Sequence, residues 1–208
     1  MTLLLSDPAV AAVPVEEAGD PLVVLSPALT SPEAEGPVRV RAGLGQRLHH
    51  AQTLLPDGVR LAVVEGHRSP ASQQRIIEEY RAEVLAHHPD AVGEELHALV
   101  SRFVAPLAVA PHVAGAAVDL TLHGPDGPLD LGTLIDATPE RSGGRCYLDA
   151  VGLSAQVRHH RHLLRTALGG AGLVNYPTEW WHWSHGDAYW ALITGAPAAT
   201  CEIGRAHV

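Results

Sequence analysis

The sequence predicts an α+β fold, an antiparallel sheet flanked by helices. Three observations predict it. Helical spacing of apolar residues is gathered mainly in the first half, whereas from residue 116 short apolar runs are separated by Gly- and Pro-rich turns, as antiparallel strands require. Apolar residues make up 46% of the 208-residue chain, enough for one buried core. There is no internal repeat, and no run of about 18 apolar residues that could cross a membrane.

Residues 1–37 are rich in proline and acidic residues. They are expected as an N-terminal arm packed on the domain, with one short strand at Leu22–Leu25. The apolar start "MTLLL" lacks a basic segment and is ended by Asp7 and Pro8, so it is expected to be mature sequence rather than a signal peptide. Leu44, Leu48, Ala51 and Leu55 share one face of a helix over 42–55. "PDG" then turns the chain into the strand "VRLAVVEG". Ser69 as N-cap and Pro70 at the first helical position open a long helix that closes before Pro89. A second helix is expected over 90–104. "AAVDLTLHGPDGPLDLG" reads as two strands joined by a turn, and Ser154–Leu168 as a further helix. After "GGAG" come strands at "LVNY", "EWWHW" and "DAYWALITG".

A net charge of −9 with only 14 Lys and Arg excludes a nucleic-acid surface and gives no reason to expect anionic lipid as a partner. Two cysteines, Cys146 and Cys201, make no disulfide framework and fit a reducing, cytoplasmic setting. Cys146 has no local feature that marks it as an activated nucleophile. No G-x-S-x-G elbow, P-loop or G-x-G-x-x-G motif occurs.

The chemistry is concentrated in two stretches. In "PHVAGAAVDL", Asp119 lies inside an apolar strand, where a carboxylate needs a partner such as a metal ion. His112 is seven residues earlier, an odd separation that an unbroken strand would send to the opposite face; Gly115 between them permits a turn or bulge that brings both to one side. In "TEWWHW", Glu179 and His182 stand among three of the four tryptophans. One arrangement gives both work. His182 joins His112 and Asp119 as a third zinc ligand, Glu179 stays off the metal as general base, and the tryptophans wall the pocket. The other histidines are expected to be idle: His49, His50, His87 and His88 on helices, and His159, His160 and His162 with Arg158 and Arg161 on a solvated face. His123 and His185 lie near turns.

"PHVAGAAVDLTL" and "PTEWWHW" resemble the zinc D-alanyl-D-alanine peptidases, especially the vancomycin-resistance-type D-alanyl-D-alanine dipeptidases. Their pattern is S-x-H-x-x-G-x-A-x-D followed by E-x-W-H. His112, Gly115, Ala117, Asp119, Glu179, Trp181 and His182 match it. The resemblance implies a D-Ala-D-Ala peptidase or hedgehog-like fold with a single zinc site over residues 38–208. It also implies zinc ligation by His112, Asp119 and His182, and Glu179 as base. "VVEGHRSPASQQ" matches the family's arginine segment and makes Arg68 the residue that stabilises the transition state. "PLDLGTLID" resembles the segment after the second ligand, placing Asp136 to hold the substrate's amino group, with Trp181 as a further substrate contact. The implied substrate is a small dipeptide, D-alanyl-D-alanine first. The alternatives are another dipeptide, an amide or a cell-wall D,D-peptide on the same machinery, or a non-catalytic peptide-binding descendant. Two positions depart from the pattern: Ala110 stands where the family has serine, and His67 where it has an aromatic residue.

Overall fold

The structure, a computed structural model, describes residues 3–205. Its centre is an antiparallel sheet of β3 (Arg60–Glu65), β4 (Ala117–Gly124), β5 (Gly127–Pro128), β6 (Val174–Asn175) and β7 (His182–Ser184). The order is β3-β4-β7-β6, with β5 folding back on the end of β4. A two-stranded ribbon, β1 (Leu22–Val24) with β2 (Arg39–Arg41), lies beside it. The helices are α1 (Pro8–Ala11), α2 (Ala42–Thr53), α3 (Pro70–His87), α4 (Gly93–Ser101), α5 (Pro139–Ser142), α6 (Ala155–Gly170) and α7 (Ala188–Thr194). None among the described residues is long and apolar enough to cross a membrane.

Strand β4 is buried along seven of its eight residues. Its period-two alternation gives the two faces different jobs. Val118, Leu120 and Leu122 enter the main core with Leu61 and Val63 of β3, Leu44 and Leu48 of α2, and Leu164 and Leu168 of α6. Asp119, Thr121 and His123 point the other way and are also buried. Each fully buried Leu or Val contributes about 1.5–3 kcal/mol, so this core tolerates polar groups on the opposite face.

Helix starts follow local chemistry. Ser69 accepts from the Ser72 N–H and Ser154 from the Val157 N–H, each satisfying an orphan donor of the first turn. The arm is tied down twice. Leu25 and Leu29 join the main core, and buried Arg41 pairs with Glu17 at 2.9 Å and donates to the Ala114 carbonyl.

Several expected elements differ. "DAYWALITG" is not a strand but helix α7. Asp187 caps it by accepting from the Trp190 N–H at 2.8 Å, and Gly195, at φ 72°, ends it. A short apolar run fits either element, and the caps decide. In "EWWHW" only His182 and Trp183 lie in β7, and Glu179 accepts a turn in which its N–H donates to Tyr176. The return strand is only Gly127–Pro128, the last two residues of "HGPDGP" itself. His160 and Arg161 are buried, not solvated: His160 Nδ1 lies 2.7 Å from the Asp130 carbonyl, and Arg161 donates to the carbonyls of Leu131, Arg145, Tyr147 and Leu148. That one guanidinium ties the loop at 131 to the loop at 145–148.

Gly115 does sit in a turn. At φ 71° it closes the segment 111–115, its N–H donating to the His112 carbonyl at 3.0 Å while the Ala116 N–H reaches Pro111. A Cβ there would also stand 2.7 Å from Leu22 Cδ2. Gly115→Ala should therefore cost about 1–3 kcal/mol, lowering Tm by roughly 2–4 °C for each kcal/mol in a chain this size. A melting curve unchanged from wild type would show that the turn carries no such strain.

Candidate active site

The sheet register assembles the site. Across β4, Asp119 faces His182 on β7; a bulge after Val63 re-registers β3 so that Glu65 faces Asp119 from the other side. The 111–115 turn then swings His112 over the same face. His112 Nε2 lies 3.2 Å from Asp119 Oδ2 and 3.1 Å from His182 Nδ1, and His182 Nδ1 lies 3.1 Å from Asp119 Oδ1. All three residues are about 5% exposed or less.

These donors fit a zinc ion. Zinc bonds of about 2.0–2.1 Å at the tetrahedral angle put ligand atoms about 3.3 Å apart; the two ring nitrogens stand 3.1 Å apart, each has its own Asp119 oxygen at 3.1–3.2 Å, and one atom from each of the three residues falls within 4.8 Å of the others. His112 Nδ1 is 2.7 Å from the Gly66 carbonyl. That bond places the ring proton on Nδ1 and leaves the Nε2 lone pair facing Asp119 and His182, the outer partner a metal-bound histidine requires. Burial alone would raise Asp119, but His112 and His182 outweigh it and hold the carboxyl well below its ordinary value. Burial would lower His112, and the Asp119 charge reverses that and raises it. The set thus favours a carboxylate with cationic charge against it.

Glu179 stands just off the group, its Oε2 3.8 Å from His182 Nδ1. It is buried, and burial followed by the charges of Asp119 and Asp136 raises its pKa well above the ordinary glutamate value, with Arg68 opposing. A carboxyl poised this way takes and returns a proton more readily near neutral pH than an exposed glutamate does.

A cleft of about 540 Å³ opens on the group, and Arg68, Asp136, Ala110 and Phe103 line it. Arg68 donates to Glu65 through Nε at 2.8 Å and through Nη2, and to Gln73 Oε1 through Nη1 at 3.0 Å; its backbone N–H reaches the His112 carbonyl at 3.1 Å. Asp136, at φ 61°, is an exposed rim residue. Crowding by the cleft walls and then the charges of Asp119 and Glu65 push its carboxyl up to about 6. Beyond it a second cavity, lined by Glu33, Arg39 and His67, shares Glu65, Asp119 and Asp136 with the cleft.

Trp181 is not on the wall. It is 1% exposed and packs in the core against Trp180, edge-on to Phe103 at 6.3 Å. Phe103 lines the cleft in front of it, so the tryptophans support the wall from behind rather than forming it. His123 is buried beside Arg60, and His185 packs on Trp190; neither lines the cleft. Cys146 and Cys201 are free and buried, and burial raises both thiols. Sequence reasoning missed Gln73 and Tyr80 of α3, which face the cleft. The one signal was a glutamine in the first turns of a helix beginning just after Arg68, and that does not say which way the side chain points.

A family profile described as D-ala-D-ala dipeptidase, Peptidase_M15, matches residues 56–195. A D-alanyl-D-alanine dipeptidase of Synechocystis sp. is 30% identical over 216 residues, covering 86% of this chain and 87% of that protein. The D-alanyl-D-alanine dipeptidase of Escherichia coli is 40% identical over 99 residues, 47% of this chain and 49% of that protein. Among solved structures, a variant of the vancomycin-resistance D,D-pentapeptidase VanY in complex with Zn(II) covers 86% of this chain and 90% of its own. It is 17% identical, with a TM-score of 0.45. VanYB in complex with D-alanine-D-alanine covers 94% and 95%, also at 17% identity, with a TM-score of 0.46. Structural likeness this loose adds nothing to the match in sequence.

Proposed function

The chain belongs to the D-ala-D-ala dipeptidase family of peptidases, and from that premise we propose that it hydrolyses a small D,D-dipeptide, D-alanyl-D-alanine first, with one zinc ion held by His112, Asp119 and His182. The observation that carries this reading is the convergence of three buried donors, with a further residue, Glu179, held close by but apart from them. Three protein ligands and an open position is the catalytic zinc pattern, whereas structural zinc is closed by four.

When bound, zinc polarises the scissile carbonyl and lowers the pKa of a water to roughly 7. Glu179 takes the proton of the attacking water and passes it to the leaving amine. Arg68, on the cleft wall, presents N–H groups to the oxygen on which negative charge develops. Asp136 on the rim meets the substrate's ammonium group, a pairing that draws its raised pKa back down. Ala110 offers no hydroxyl where the family has serine, so contacts to the peptide fall to the other cleft residues. Trp181, shut in the core, has no surface to offer a substrate.

The test is hydrolysis of D-Ala-D-Ala and L-Ala-L-Ala by the purified chain, with and without a chelator, followed by readdition of zinc. Release of D-alanine that stops with chelator and returns with zinc is expected. Turnover that survives complete removal of metal, or cleavage of the L,L-dipeptide alone, would overturn the reading.

A further inference from the structure

Arg68 is held by more than its own chain. A guanidinium carries five N–H groups. Glu65 takes two of them in a fork, through Nε and Nη2, and Gln73 Oε1 takes one on Nη1. Two N–H groups remain, one on each terminal nitrogen, and the side chain lines the cleft. Gln73 is 2% exposed, and its Nε2 donates to the Ala105 carbonyl at 2.9 Å. That second bond settles which way the amide faces. Turned over, it would set an NH2 against the guanidinium and one carbonyl oxygen against another. The helix α3 glutamine therefore presents an acceptor to Arg68 and nothing else.

Glu65 needs a reason of its own. It faces Asp119 across the sheet, in a site that also holds Glu179 and Asp136. A further carboxylate there raises its neighbours and adds no ligand to the zinc set. Its partner is Arg68, whose pKa is raised: burial would lower it, but the bond to Glu65 and the surrounding carboxylates outweigh that. A long arginine that must aim two N–H groups at one developing charge loses freedom when it does so. Side chains that hold it beforehand move that loss into folding.

We propose that Glu65 and Gln73 are positioning residues that clamp the Arg68 guanidinium with its two remaining N–H groups turned to the cleft. The proposal rests on the role given to Arg68 above. A purely structural role makes a different forecast. The Glu65 side chain is 36% exposed, and a partly exposed ion pair contributes little to stability.

The experiment measures kcat and KM for the hydrolysed dipeptide, zinc content and Tm for the wild type and for Arg68→Ala, Glu65→Gln, Gln73→Leu and the Arg68→Ala/Gln73→Leu double variant. It adds calorimetric binding of a phosphinate dipeptide analogue, whose tetrahedral oxyanion imitates the transition state. Arg68→Ala should lower kcat about 100- to 1,000-fold, the usual loss of an oxyanion donor. Glu65→Gln and Gln73→Leu should each lower kcat and analogue affinity roughly 10-fold, with KM and zinc content near wild type. In the Arg68→Ala background, Gln73→Leu should lower kcat no further, since residues acting through one group are not additive. If Gln73→Leu does not fold, Glu65→Gln carries the test alone. Equal losses from Gln73→Leu with and without Arg68, or a wild-type kcat in both single clamp variants beside an impaired Arg68→Ala, would overturn the clamp and leave Arg68 in place. A wild-type kcat in Arg68→Ala would overturn both roles.

Discussion

Glu179→Gln should retain its zinc and lose kcat by at least ~100-fold, the lower end of what a general base contributes. Glutamine has the same shape, so the buried position beside the ligand set stays filled, but it cannot accept the proton of the attacking water. The assignment depends on the separation of Glu179 from the ligand set: its Oε2 is 3.8 Å from His182 Nδ1, whereas His112 Nε2 and His182 Nδ1 are 3.1 Å apart and each has an Asp119 oxygen at 3.1–3.2 Å. Metal analysis and steady-state kinetics on one preparation decide it. Loss of zinc from this variant would make Glu179 a ligand, and unchanged kcat would remove it as the base.

His182→Ala should lose most of its zinc and, with it, measurable turnover. The substitution leaves His112 and Asp119, one donor short of the three that hold catalytic zinc. Loss of an outer partner to a metal ligand already costs roughly 10–100-fold in affinity, so loss of a ligand should cost more. Thermal melting gives an independent readout. Bound metal stabilises the folded state by mass action, so chelator should lower the Tm of the wild type and leave that of His182→Ala where it is. Full zinc occupancy in the variant would dissolve the three-residue assignment, and the proposed mechanism with it.

The sequence by itself determined those parts of the molecule whose signals are local. Ser69–Pro70 and Ser154 start helices because capping is settled within one turn, and α3 and α6 begin where those residues predict. Strand β4 announces itself as an apolar run, and the aspartate inside it had to have a partner, because a lone buried carboxylate is too costly. Gly115 signalled the reversal that lets residues seven apart share a face. The identities of the converging residues were legible for that reason: polar groups stood where the local pattern called for apolar ones.

Tertiary structure decided whatever depended on neighbours remote in the chain. "DAYWALITG" carries a local helix cap in Asp187, but its apolar run fits strand and helix alike until Tyr189 buries against Tyr176, ring to ring at 5.5 Å. Trp181 lies in the core and Phe103 takes the cleft position expected of Trp181, because the segment after α4 and the turn before β7 meet only in three dimensions. His160 and Arg161 are buried because the loops at 130–131 and 145–148 bring carbonyls to that face of α6. Gln73 reaches Arg68 only because the Ala105 carbonyl fixes its amide from another segment. A side chain's residue type is written in the chain, but its environment is set by the segments that fold against it, and the clamp on Arg68 belongs wholly to that second kind of information.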